Sequence, residues 1–289
     1  MITPTPPILP LKSALIIASS DSGGGAGLEA DLKTLAAHGV FGFCVVSAVT
    51  AQNSTAVTAL ECLSPALVTA QLEAVAADFE IAAIKIGLLG SAANTLAVAG
   101  FLSDRLRGTT PIILDPVMVS ASGHSFLPPE AVAALKKLLP LVTLITPNLP
   151  EAEVLTGRSL PDDAAKAAAA RQLLAETGAE RILIKGGHGS GPAADDLLAG
   201  PEGVTWFRGP RVETANTHGT GCTLSSAICA RLAQGRPLAE AIGLAKAYVT
   251  EGLRHSLRLG AGPGPLNHFH EFYRYKAEDR PEENGHERT

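Results

Sequence analysis

Short apolar runs alternate along the chain with longer stretches in which apolar residues recur every three or four positions. Ala14–Ala18, Phe41–Thr50, Ala83–Ile86, Pro111–Asp115, Val142–Thr146 and Arg181–Lys185 read as buried strands. Between them Pro65–Phe79, Ala92–Arg107 and Ala164–Thr177 are Ala-rich and helical, and two further helices follow Gly221, at Cys222–Ala233 and Leu238–Leu257. Strand alternating with helix predicts βαβ units, hence an α/β fold with a central, mostly parallel sheet covered by helices on both faces. No internal repeat of about 20–50 residues appears, and no Pro/Gly/Ser-rich linker divides the chain. One domain over 14–274 is therefore expected, with a flexible segment at 1–13 and a disordered polar tail at 275–289.

Composition narrows the function classes. Of 289 residues 46% are apolar but only 4% aromatic, so the core rests on Ala, Leu, Val and Ile. A net charge of −5 without a Lys/Arg run lacks the electrostatic footprint for nucleic acid or an anionic membrane. No apolar run reaches membrane-spanning length, about 18 residues or more. Met1–Pro10 carries four prolines and no basic start, unlike a secretory signal. Cys44, Cys62, Cys222 and Cys229 form neither a CxxC pair nor a zinc pattern; they read as reduced thiols of a cytoplasmic protein.

Candidate chemistry in the first half follows the strands. Ser19–Gly27 (SSDSGGGAG) joins the first strand to a helix, and its glycines let backbone approach a ligand closely. GxGxxG fails because position 28 is Leu, and no GK[ST] occurs, so neither a dinucleotide fingerprint nor a Walker A loop is present. The segment is either a tight turn or a ligand loop. In the helix expected over Ala26–His38, Leu28, Leu32, Leu35 and Ala36 share a face. Asp31 sits beside that stripe, as a structural acid or as a ligand contact. Gln52 follows the second strand, where ligands of parallel sheets bind. Its amide offers one donor and one acceptor to a heterocycle edge, or simply lies in a polar loop.

The second half carries phosphate-type signals. Thr214–Ser226 (TANTHGTGCTLSS) sets Gly219-Thr220-Gly221 at the start of a helix, where backbone N–H groups and the helix dipole make an anion site. Cys222 falls in the first turn, where that environment is expected to lower its pKa. Asn148 and Glu151 in TPNLPE are three residues apart. They suit either a capping box or oxygen ligation of Mg²⁺, through water. Lys185, at the end of an apolar strand and before two glycines (KGGH), is placed to neutralise a phosphate.

Together these segments resemble one family, the hydroxymethylpyrimidine/phosphomethylpyrimidine kinases of thiamine synthesis, in the ribokinase-like superfamily. The resemblance runs from about Ala14 to about Tyr273 through SDSGGGAGLEADLKTLAAHG, VTAQNS, IKIGLL, ILDPVMVSASG, LITPNLPEAEVL, IKGGH, NTHGTGCTLSSAI and GPLNHFHEFY, in that order. It implies an ATP- and Mg²⁺-dependent kinase, commonly dimeric, that phosphorylates an aminopyrimidine alcohol and then its monophosphate. By the same resemblance, Gln52 reads the aminopyrimidine with Asp31 as its carboxylate partner, and Ser19 and Leu88 lie near the ring. Gly219 and Gly221 form the anion hole, and Cys222 takes the place of the Asp base of related sugar kinases. Thr220, Asn148, Glu151 and Lys185 serve phosphate and magnesium. Two positions depart from the family's pattern: Ser19 stands where Gly is usual, and Leu88 where Met is frequent. Both bear on substrate preference. The nearest competing expectation is a pyridoxal kinase, which phosphorylates a similar hydroxymethyl group.

Overall fold

A computed structural model describes residues 11–105, 110–118, 129–189 and 191–273, without the side chains of 129–132. The expectations for 1–10 and for the tail at 275–289 lie outside the described residues. The chain runs β1 (Ser13–Asp21), α1 (Gly27–Ala37), β2 (Phe41–Gln52), β3 (Val57–Cys62), α2 (Pro65–Asp78), β4 (Ala83–Ile86), α3 (Ala92–Arg105), β5 (Ile112–Leu114) and α4 (Pro129–Leu138). It continues through β6 (Leu144–Ile145), α5 (Leu149–Thr156), α6 (Asp163–Thr177), β7 (Ile182–Ile184), β8 (Asp196–Gly200), β9 (Gly203–Phe207), α7 (Thr220–Ala233) and α8 (Leu238–Arg254).

The strands form one sheet in the order β3-β2-β1-β4-β5-β6-β7-β8-β9. Pairing is parallel from β2 to β7, while β3, β8 and β9 add antiparallel edges. The period-two alternation of side chains sorts the continuous apolar runs onto two faces. Leu15, Ile17, Ile84, Ile86, Ile112 and Leu114 join one core cluster, which also draws on α2, α3, α5 and α6. Ala14, Ile16, Ala83, Ile113, Leu144 and Leu183 join a second, with α1, α7 and α8. This is the expected ribokinase-like layering. Among the described helices none is long and apolar enough to cross a membrane.

Two details differ from expectation, and a third bears out one of two open alternatives. The edge strands β3 and β9 carry mixed polar sequences and are half-exposed along much of their length, so they lack the buried-strand pattern, while β8, between β7 and β9, is buried but short. α1 turns Asp31 and Thr34 inward beside Leu28 and Leu35, and leaves Ala36 exposed. α5 starts at Leu149 with a complete capping box: Asn148 Oδ1 accepts from the Glu151 amide at 2.9 Å, and Glu151 Oε2 accepts from the Asn148 amide at 2.8 Å.

The order places a topological switch at β1. The chain moves from β1 outward to β2, then returns to β4 on the other side. The carboxyl ends of β1 and β4 therefore diverge around a crevice, the usual place for a ligand in an open parallel sheet.

Candidate active site

A cavity opens at that switch. Ala18, Ser19 and Asp21 of β1, Thr50 and Gln52 of β2, and Lys85 of β4 line it, with Ala26, Gly27, Leu88, Val117 and Cys222. Ser19, Gln52, Leu88 and Cys222, singled out in the sequence, thus meet in one place from four distant segments.

The glycine loop is held from both sides. Glu29 of α1 reaches back to accept from Ser20 Oγ (2.6 Å) and from the Asp21 amide (2.7 Å), and Lys33 donates to the Gly24 carbonyl (2.7 Å). Asp21 accepts from the amides of Gly23, Gly25 and Ala26. Its Oδ2 also lies 2.9 Å from His218 Nε2. Burial pulls the Asp21 pKa upward, but the hydrogen bonds from His218, Ala26 and Gly23 outweigh it and hold the group below its ordinary value.

The helix terminus meets this loop directly. Gly219, N-cap of α7, has φ 77°. A Cβ there would fall 1.8 Å from the Gly25 carbonyl oxygen, so both conformation and space require glycine. Gly221 and Cys222 follow in the first turn of α7, and Thr220 Oγ1 donates to the Thr217 carbonyl at 2.7 Å. The expected low pKa of Cys222 is corrected: burial pushes the thiol up to about 11, and the pull of the Lys85 ammonium does not offset it. At neutral pH Cys222 carries its proton.

Asp31 does not line the cavity. It has no exposed surface; Lys85 Nζ donates to Oδ2 at 2.6 Å and Ser226 Oγ to Oδ1 at 2.7 Å. The expected carboxylate partner of Gln52 is therefore corrected, since both Asp31 oxygens are spent inside the core; Asp21 is the carboxylate at the cavity. Lys85 itself was not singled out. Burial works against its charge, yet Asp31 beside it keeps its pKa above the ordinary lysine value.

Lys185 forms a second buried pair, donating to Asp115 Oδ1 at 2.6 Å. Asp115 also accepts from Thr146 Oγ1 at 3.2 Å. A Cβ on Gly221 would lie 3.2 Å from Lys185 Nζ and 3.5 Å from Asp115 Oδ2, so this pair faces the start of α7. Burial pushes Glu151 up to about 7 against the pull of Lys185. Asn148 spends its Oδ1 on the helix cap and holds Glu151 in place. The site thus has two ends, a cavity at Gln52 and the buried Lys185–Asp115 pair, with Cys222 and the α7 N-terminus between them.

Residues 21–267 match the family model described as phosphomethylpyrimidine kinase. The chain belongs to the phosphomethylpyrimidine kinase family. Its relatives in that family include the hydroxymethylpyrimidine/phosphomethylpyrimidine kinase of Rhizobium meliloti, 46% identical over 90% of this chain and 98% of the relative. Among solved structures, the Clostridium difficile phosphomethylpyrimidine kinase is 40% identical with a TM-score of 0.73, covering 83% of this chain and 98% of that one. The Bacillus subtilis pyridoxal kinase, solved as an ADP complex, is 33% identical with a TM-score of 0.82, covering 89% and 97%. The kinase family and its fold, read from the motifs, are therefore shown.

Asp21, Lys85, Thr50, Asp115 and His218 were missed as site residues. Asp21 and His218 lay inside motifs already quoted, SDSGGGAG and NTHGTGC. A signal was available in each: an acid followed by glycines whose amides it caps, and a histidine directly before the helix N-cap.

Proposed function

We propose that this kinase transfers phosphate from ATP to the hydroxyl of 4-amino-5-hydroxymethyl-2-methylpyrimidine, and then to the monophosphate so formed. The observation that carries the reading is the meeting of Gln52 and Cys222 in one cavity at the sheet's switch point, beside the α7 N-terminus. A flat ring fits against Ser19, Leu88 and Val117, with its polar edge on Gln52 and its hydroxymethyl arm toward Cys222. The protonated thiol aligns the attacking hydroxyl rather than serving as a strong base. The amides of Gly219, Thr220 and Gly221 and the Lys185 ammonium receive the charge of the transferred phosphoryl group. In phosphoryl transfer such positioning and charge stabilisation supply most of the catalysis.

The donor set fits magnesium. Asp115 Oδ2 and the Glu151 carboxylate put hard oxygen near Lys185, in line with Mg²⁺ held through one or two carboxylates and water. When bound, the ion neutralises charge on the β- and γ-phosphates. A homodimer belongs to this reading and is supported by exposed Phe41 and Val49 on β2 and by Phe79; sedimentation at micromolar concentration tests it.

Pyridoxal phosphorylation is the second reading, favoured by the close fold match to the Bacillus subtilis enzyme. Steady-state ATP turnover with each acceptor separates the two. Chromatography over time tests the second step: the diphosphate is expected after the monophosphate, and monophosphate accumulating alone at high enzyme would show a single-step kinase.

A further inference from the structure

Gln52 lies between two groups that each have a nearer hydrogen-bond partner. In the orientation described, its Nε2 is 3.4 Å from His218 Nε2 and its Oε1 is 3.4 Å from Thr50 Oγ1. His218 Nε2 faces the Asp21 carboxylate at 2.9 Å. An ionised carboxylate only accepts, so that ring nitrogen carries a hydrogen in either charge state of the imidazole. An amide NH₂ turned toward it sets two donors face to face. The hydrogen of Thr50 Oγ1 is directed to the Ser20 carbonyl at 3.0 Å, so an amide oxygen turned toward Thr50 sets two acceptors face to face. Rotating the amide by half a turn resolves both conflicts at once. Oε1 then faces the His218 N–H, whose hydrogen it shares with the nearer Asp21 carboxylate, and Nε2 donates to Thr50. Amide oxygen and nitrogen are distinguished by such partners.

The imidazole is clamped and cannot swing aside. A Cβ on Gly25 would lie 2.3 Å from His218 Cδ2, so the ring packs against bare backbone. The His218 amide donates to the Gly264 carbonyl at 3.1 Å, tying the residue to the C-terminal segment. Its side chain is 12% exposed.

We propose that His218, braced by Asp21, is a positioning residue that fixes the orientation of the Gln52 amide and thereby the way round the substrate ring lies. After the two fixed bonds, Gln52 keeps one acceptor lone pair on the His218 side and one N–H on the Thr50 side. A ring bearing an amino group beside a ring nitrogen then sits with the amino group toward His218 and the nitrogen toward Thr50. This rests on Gln52 being the ring contact.

The test is a double-mutant cycle on the full chain, read as KM for the aminopyrimidine alcohol and KM for ATP. His218→Leu is expected to raise the pyrimidine KM about tenfold, the worth of one oriented hydrogen bond, with KM for ATP within about threefold. In a Gln52→Ala background the same change is expected to add less than about twofold, because two residues acting through one contact are not additive. His218→Gln keeps an N–H donor and is expected to stay within about threefold of the parent, which tests the idea even if His218→Leu folds poorly. An equal loss in both backgrounds, or a tenfold loss in His218→Gln, overturns the positioning role. A Gln52→Ala variant with unchanged KM overturns it differently, by removing Gln52 from the site.

Discussion

Two lysine–aspartate pairs of the same length lie near Cys222 and play different parts. Lys85–Asp31 and Lys185–Asp115 both close at 2.6 Å. The first is sealed, with 0% exposure on either side chain and both Asp31 oxygens taken. It joins α1, β4 and α7 and stands as a foundation under the cavity. The second retains 11% exposure on Lys185 and faces Gly221 at the start of a helix. What a buried charge does is decided by how far it is closed off from solvent and by what it faces. A pair without exposure organises the core, and a pair that keeps some exposure beside a helix N-terminus can meet an anion.

The largest effect expected from this contrast is on stability. Asp31→Ala strands the Lys85 ammonium in the core and is expected to cost about 3–5 kcal/mol in urea unfolding. Replacing both partners, Asp31→Leu with Lys85→Met, is expected to recover most of that loss. A single mutant as stable as the parent would mean that the pair is not sealed.

Next comes Lys185→Ala. It is expected to lower kcat/KM for ATP by about 10²–10³, the worth of a preorganised group at developing charge. The pyrimidine KM should hold, and the stability loss should be smaller than for Asp31→Ala. Equal weakening of both ligands would point to misfolding and blur the contrast.

Cys222→Ala is expected to cost about 10² in kcat, the low end for a positioned proton-handling group, because its thiol pKa lies near 11. The same value predicts slow alkylation at neutral pH, slowed further by bound ATP. Fast alkylation at pH 7 would indicate a thiolate and reinstate Cys222 as a strong base. The second phosphorylation should suffer less than the first, since its acceptor is already an anion.

A pH titration tests the α1–α8 side, away from both pairs. Burial holds His38 and His268 neutral, with pKa values of about 4 against an ordinary 6.5. The unfolded chain therefore binds protons first. Stability is expected to be full above about pH 6.5 and to fall as pH drops toward 4, by at most about 1.4 kcal/mol per pH unit for each histidine. A flat profile over that range would show that the two rings are not shielded.

The sequence carried the central strands well because each is buried on both faces, so Ala14–Ala18 appears as a bare apolar run within β1. The edge strand β9 escaped because edges need no such run, and β8 because its buried stretch, DLLAG, is too short to stand out. At the site, Gly219, Gly221 and Cys222 were legible from local chemistry, since a Gly-Thr-Gly helix start has few other uses. Asp31 misled because a motif position says nothing of direction: its carboxylate points into the core, toward a lysine 54 residues away. His218 and Asp21 were hidden because their contact spans 197 residues. Only the fold brings the first loop against the seventh helix.

The choice of acceptor is decided by kcat/KM with saturating ATP and magnesium for the aminopyrimidine alcohol and for pyridoxal, side by side. A cavity that meets the ring edge with an oriented amide rejects rings that leave that amide unpaired. A clear preference for the aminopyrimidine is expected, one that shrinks in Gln52→Ala. A preference for pyridoxal, undiminished by Gln52→Ala, would contradict it.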